Sequence, residues 1–244
     1  MNGEEADCMV TDPPYNVAVS NSQGMTIEND NMSSSEFKTF INSAMKCASS
    51  ALKKGAAFYV WYGDIEDVAF RTACTGNGLL VKQCLIWVKN GFTLGRQDYQ
   101  WRHEPCLYGW KDGAGHYFLD DRAQDTVIED KPNINKMSKD ELKAYIKELL
   151  DEKLSTTIMR EDKPLKNSDH PTMKPIKLLS RLIKNSTKQN QLVIDLFGGS
   201  GSTLVTCEQL NRKCYMMEYD PKYADVIVKR WEDLTGQKAV KVDG

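Results

Sequence analysis

The chain has 244 residues, 41% of them hydrophobic and 27% charged, with a formal net charge of −2, enough to bury the core of one large or two small domains. No apolar run approaches the ~18 residues of a membrane span and no signal peptide is visible, which points to a cytoplasmic protein with no membrane partner. Seven cysteines without a Cys-x-x-Cys pair and three scattered histidines argue against a disulfide framework and against a zinc site.

The first strand ends in the stretch on which the rest depends. Cys8-Met9-Val10 reads as a buried strand end, stopped at once by Pro13 and Pro14, which have no N–H to give to a sheet. Asp12 then sits at the carboxyl end of a strand, where open α/β sheets bind ligands. A carboxylate, free backbone carbonyls and the Tyr15 ring suit a planar group that carries an amino substituent, such as adenine or cytosine. The same residues would also make a surface Pro-Pro turn with Asp12 as a cap.

Residues 16–32, rich in Asn, Ser and Gly, read as a mobile loop beside the sheet edge. Ser33-Ser34-Ser35 offers caps to a helix with Phe37, Phe40, Ile41, Ala44 and Met45 on one face, ending near Lys54-Gly55. Ala56 to Tyr62 is a fully buried strand. Asp64 is a cap for a helix to about Cys74, and Leu79 to Lys89 is the next strand. This alternation argues for a mostly parallel sheet. Asn90 to His103 interleaves aromatics with arginines, which suits either nucleic-acid contact or an aromatic core edge. Glu104 to Trp110 is strand-like again.

Residues 121–169 break the rhythm. Ser138 to Glu141 forms a capping box for a helix to about Glu152, so this stretch is expected to be a small helical insertion, either a target-recognition region or inert. Residues 1–40 carry seven acids against Lys38, whereas residues 160–188 carry eight bases against three acids. The basic cluster, with Lys163, Lys166 and Lys184 among its members, suits phosphate contact, and a solvated helix face is the competing reading.

Ile176 to Ile183 is a helix, and Gln191 to Leu196 is a strand that runs into Phe197-Gly198-Gly199-Ser200-Gly201. A helix follows, then the strand Lys213 to Met217 ending in Glu218. Asp220 caps a last helix from Pro221 to Leu234, closed by Gly236. A strand, a glycine turn, a helix, a strand and an acid about 20 residues on are the dinucleotide-binding grammar, in which the acid accepts both ribose hydroxyls; a glycine-rich helix start without a ligand is the competing reading. The glycine spacing departs from Gly-x-Gly-x-x-Gly, which weakens a pyrophosphate reading and fits S-adenosylmethionine, a ligand with adenine and ribose but no phosphate.

Asp12-Pro13-Pro14-Tyr15, then His170-Pro171-Thr172-Met173-Lys174-Pro175, then the loop Asp195 to Gly201 resemble, in this order, the β-type DNA methyltransferases that modify N6 of adenine or N4 of cytosine. The run from Lys213 through Arg230-Trp231 resembles phage and prophage members. The resemblance implies a Rossmann-like, mostly parallel α/β sheet dependent on S-adenosylmethionine. It places a catalytic half at residues 1–120, the insertion at 121–169 and a cofactor half at 170–244. It also implies double-stranded DNA as partner, with a homodimer compatible with it, and a target base flipped out of the duplex. Asp12, Pro13, Pro14 and Tyr15 are the implied catalytic residues. Asp195, Phe197, Gly198, Gly199, Ser200, Gly201 and Glu218 are implied to hold the cofactor, Phe197 by packing and Glu218 at the ribose. His170, Thr172 and Lys174 are implied to form the pocket's methionine end.

Aspartate in the first position leans toward adenine, because the cytosine enzymes more often carry serine there. An N4-cytosine enzyme, a catalytically weak or truncated homologue, a nicotinamide or flavin oxidoreductase, a silent DNA-binding module and an RNA or protein-amine methyltransferase remain alternatives. Related enzymes carry an upstream segment whose acid meets the cofactor's adenine. The chain is therefore expected to be shortened at its N-terminus, or to complete that pocket otherwise, with Asp64 as the substitute acid.

Overall fold

In the computed structural model, strand β1 (Ala6–Thr11) lies inside a seven-stranded sheet. Its side chains alternate between two cores: Met9 enters one, Cys8 and Val10 the other. Strand β2 (Leu52–Trp61) does the same, with Phe58 and Val60 on the first face and Ala57, Tyr59 and Trp61 on the second. A strand buried on both faces needs apolar residues at every position, so it reads as an unbroken run. The structure describes residues 1, 3–17, 30–89, 91, 98–121, 124–129, 138–140, 142–143 and 173–242.

Strands β3 (Leu79–Val88), β4 (His103–Lys111), β5 (Val127–Glu129), β6 (Leu192–Asp195) and β7 (Lys213–Met216) complete the sheet, in the order β5-β3-β4-β2-β1-β6-β7. Only β4 runs against its neighbours. Helices α1 (Ser34–Ala51) and α2 (Asp67–Gly76) cover one face through Phe37, Ile41, Met45 and Phe70. Helices α3 (Ile176–Ser186) and α4 (Ser202–Gln209) cover the other through Leu178, Leu182, Ile183 and Cys207. Helix α5 (Pro221–Thr235) begins under an Asp220 cap and ends at Gly236, whose backbone is left-handed. Among the described residues no helix is long and apolar enough to cross a membrane.

Three local expectations change. Helix α1 ends at Ala51 rather than near Lys54-Gly55, because Leu52 already pairs with Ala6. The register then slips so that Cys8 meets Ala57. Gly55 lies inside this slip at φ +77°, where a Cβ would fall 2.3 Å from the Gly115 carbonyl oxygen. Asp64 does not cap α2: it opens a single 3₁₀ turn, Asp64–Glu66, and Glu66 takes the cap position. Val127–Glu129, inside the expected helical insertion, instead pairs with β3 as an edge strand. Most of the remaining insertion, including Glu141 and residues 144–169, lies outside the described residues, as do residues 18–29 of the expected mobile loop.

Candidate active site

The carboxyl ends of β1, β6 and β7 lie side by side. From β1 the chain winds outward through α1 to β2, and after α3 it returns to fill β6 and β7 on the opposite side. The gap between β1 and β6 is therefore the switch point at which open α/β sheets take ligands. A cavity of about 860 Å³ opens there, lined by Asp12 and Tyr15 beyond β1, Phe197 beyond β6, and Glu218 and Tyr219 beyond β7.

Beyond β1, Asp12 Oδ1 accepts the Tyr15 hydroxyl at 2.6 Å and Oδ2 accepts Lys174 Nζ at 2.5 Å. The same ammonium lies 2.9 Å from Glu104 Oε2, and the other Glu104 oxygen pairs with Lys89. Lys174 also lies over the Trp61 and Tyr15 rings, 5.2 and 5.6 Å from their centroids. Burial alone would raise the Glu104 carboxyl, but Lys174 and then Lys89 drive it down to about 2. For Lys174, burial works against the charge, and Asp12 followed by Glu104 outweighs it, so the ammonium is held above the usual lysine range. Burial, then the charges of Asp12 and Glu104, keep the Tyr15 hydroxyl protonated far above its ordinary value. Tyr15 is therefore the donor to Asp12. The turn that carries both is held by Asp30, buried, whose Oδ1 accepts the N–H groups of Tyr15 and Val17 at 3.1 and 3.2 Å.

The glycine loop after β6 is closed on itself. Gly198 N–H donates to Met217 O, Gly201 N–H to Gly198 O, and Gly199 N–H to Glu218 Oε2 at 2.6 Å. Glu218 Oε1 accepts the Asp220 N–H at 2.9 Å. A pyrophosphate site needs free N–H groups and no facing carboxylate, and here three of the loop's donors are engaged and an acid faces them. Gly198 packs closely on its neighbours: a Cβ there would lie 2.7 Å from Met216 Sδ, and the Met216 side chain would have to shift. Asp195 anchors the loop from below. Its Oδ1 accepts Thr11 Oγ1 at 2.9 Å and Phe197 N–H at 3.1 Å, and its Oδ2 accepts Thr203 Oγ1 at 2.7 Å. Burial outweighs these bonds and pushes its carboxyl up to about 7.

Asp12, Pro13, Pro14, Tyr15, Lys174, Asp195, Phe197, Gly198, Gly199, Ser200 and Glu218 all line this one cavity. Gly201 stands just behind it as the left-handed cap of α4. Lys174 sits on Asp12, because α3 starts immediately after it and is packed behind β1. His170 and Thr172 lie outside the described residues, as do Lys163 and Lys166 of the basic cluster. Arg181, counted in that cluster, is buried and donates to Gln124 Oε1 at 2.8 Å, so it is no part of a basic surface. Asp64 does not line the cavity. Among the lining residues that escaped the sequence reading, Trp61 and Glu104 stand around Lys174. Both sit in strands whose apolar pattern marks them as core, and the pairing of Glu104 with Lys174 has no spacing signal.

Fold and cavity together define an α/β protein whose glycine loop and Glu218 share one cavity with the Asp12 carboxylate. A family model described as DNA methylase matches residues 6–229, and the chain belongs to this family, the DNA amino-methyltransferases of the N6-adenine and N4-cytosine type. Type II methyltransferase M.BglII of Bacillus subtilis is 23% identical over 231 residues, which is 90% of this chain but only 62% of that protein. The M1.HpyAVI–SAM complex superposes with a TM-score of 0.63 at 21% identity, over 94% of this chain and 90% of that one. PvuII DNA methyltransferase, described as cytosine-N4-specific, superposes with a TM-score of 0.64 at 17% identity, over 94% and 82%. These superpositions bear on the fold.

The cofactor of the family is S-adenosylmethionine, and the residues present fit it. Glu218 offers lone pairs to ribose hydroxyls, and Phe197, Tyr219 and Tyr223 provide rings for an adenine.

Proposed function

We propose that this chain transfers a methyl group from S-adenosylmethionine to the exocyclic N6 of a flipped-out adenine in double-stranded DNA. The observation that carries the reading is the single cavity joining Glu218 to Asp12. One end suits the nucleoside of the methyl donor, and the other presents a carboxylate to an amine. Asp12 in the first motif position favours adenine by resemblance. N4 of cytosine is the second reading, because PvuII methyltransferase, named for that specificity, shares the fold.

The donor supplies a methyl group on a sulfonium, and the chain's residues present the nucleophile to it. An aromatic amine is a poor nucleophile because its lone pair is delocalised into the ring. Asp12 Oδ1 and the Pro13 carbonyl accept its two N–H groups, which favours a tetrahedral nitrogen whose lone pair points out of the ring plane. The N–C bond forms as the S–C bond breaks, and one amine proton then leaves to water. Most of the acceleration comes from position and charge complementarity. Asp12 Oδ1 has two lone pairs, so it can accept the amine while the Tyr15 hydroxyl stays or swings aside. Extrusion of the base places it next to the Tyr15 ring.

The test is transfer of radiolabelled methyl groups to DNA, RNA and protein side by side, followed by nucleoside analysis of the labelled DNA. The expected product is N6-methyladenine. Asp12→Ala should lose transfer and keep cofactor binding. Label only in N4-methylcytosine, or only in RNA or protein, would overturn the assignment.

A further inference from the structure

The two lysines and two carboxylates beside Tyr15 are more than an acceptor for an amine requires. Lys174 is 7% exposed, and its ammonium meets three acceptors: Asp12 Oδ2 at 2.5 Å, Glu104 Oε2 at 2.9 Å and the Tyr15 hydroxyl oxygen at 3.2 Å. An ammonium has three donors and no acceptor, so each N–H has one partner and the group is fully engaged. Glu104 is held from its other oxygen by Lys89. Two positive and two negative groups therefore balance, with the neutral Tyr15 hydroxyl among them.

A free aspartate side chain turns broadly about its last bond, and a carboxylate that turns cannot hold an amine in line with a methyl group. From this geometry we infer that Lys174 is a positioning residue for the transfer, pinning Asp12 Oδ2 so that Oδ1 faces the incoming amine, with Glu104 and Lys89 holding Lys174 in turn. The inference rests on the activity proposed above. It differs from a role for Lys174 at the methionine end of the cofactor, which the motif alone implies. Backbone anchoring supports it: Pro175 follows directly with φ −61°, and α3 is seated in the core by Leu178 and Leu179. The charged and titratable groups facing Asp12 and its partners are Tyr15, Lys174, Glu104, Lys89, Cys106 and Asp195.

The experiment compares Lys174→Met, Lys174→Arg, Glu104→Gln and the double variant Lys174→Met/Glu104→Gln with wild type, on duplex DNA and by calorimetry with S-adenosylmethionine. Lys174→Met should lower kcat about 100-fold, the cost of a loosened reacting geometry, with cofactor Kd within about twofold. Without the ammonium, two neighbouring carboxylates compete for one proton, so kcat of Lys174→Met should gain a new fall on the acid side of neutrality. In the double variant that acid fall should recede. Lys174→Arg should lie between, because a planar guanidinium cannot meet three acceptors gathered around a point.

Retained kcat with weakened cofactor binding in Lys174→Met would move the lysine to the cofactor and overturn the inference. A double variant with the same acid fall as the single one would also overturn it. If Lys174→Met does not fold, Glu104→Gln decides: lowered kcat at unchanged cofactor Kd is expected, and unchanged kcat refutes. If the wild-type chain methylates no nucleic acid, the proposed activity fails by itself. The charge balance is then read from melting, where the deficit of Lys174→Met should grow from about pH 5 to about pH 8. A deficit independent of pH would refute the pairing.

Discussion

Replacing Glu218 by glutamine changes one oxygen into an NH₂ group and little else. In the native site both oxygens are used: Oε2 accepts the Gly199 N–H at 2.6 Å and Oε1 the Asp220 N–H at 2.9 Å. An amide can satisfy only one of these, and the other backbone donor must face a second donor. An unsatisfied buried donor costs about 1–3 kcal/mol; both donors here are only part-buried, which puts the loss near the lower end, and in a chain of this size each kcal/mol is roughly 2–4 °C of melting temperature. The cofactor suffers separately. Each carboxylate oxygen keeps a second lone pair for a ribose hydroxyl, and a hydrogen bond to a charged acceptor is worth about 1.5–3 kcal/mol. Glu218→Gln should therefore raise the Kd for S-adenosylmethionine by about 10- to 100-fold, at 1.4 kcal/mol per decade, and also lower the melting temperature. Calorimetry and a thermal melt read the two effects independently. A melting loss with cofactor affinity within about twofold of wild type would make Glu218 a brace of the glycine loop alone and refute its role at the ribose.

Three further outcomes are expected. Asp195 has a carboxyl raised to about 7 by burial, so the folded chain binds a proton that the unfolded chain releases, and this group's contribution to stability falls as pH rises from about 4 toward 7. Asp195→Asn keeps the shape, with Thr203 turning to accept. Its melting temperature should gain on wild type as pH rises from about 5 to about 8, and a parallel pH dependence would refute the assignment. Gly201 has φ +80° and Ile227 within 3.1 Å of a Cβ position, so Gly201→Ala should cost at least the ~1–2 kcal/mol of a left-handed non-glycine residue, read by urea unfolding. Asp30→Ala removes the acceptor for Tyr15 and Val17 and should lower kcat more than it changes cofactor Kd, by steady-state kinetics and calorimetry.

Much of the fold was legible because it follows from local rules. The buried strands β1 and β2 announce themselves as apolar runs, Ser33 of the three offered serines caps α1, and Asp220, Pro221 and Gly236 bound α5 where their chemistry predicts. The glycine loop and Glu218 were legible through the same local grammar of strand, tight turn and helix. The end of α1 was not, since pairing with Ala6 decides it and Lys53 and Lys54 carry no strand signal. Nor was β5, three residues whose strand character depends wholly on the neighbouring β3.

Local rules set the alternating α/β order, the separation of Asp12 from the glycine loop and the residue types at both. Those depend on periodicity, caps and turns, which act over a few residues. Tertiary packing, in contrast, is what brings Lys174 onto Asp12, gathers Glu104 and Lys89 around it, and makes Arg181 core rather than surface. Each of these rests on contacts between residues tens to more than a hundred positions apart. Such contacts follow from the sheet order and from the helices packed on it, and no spacing along the chain encodes that neighbourhood.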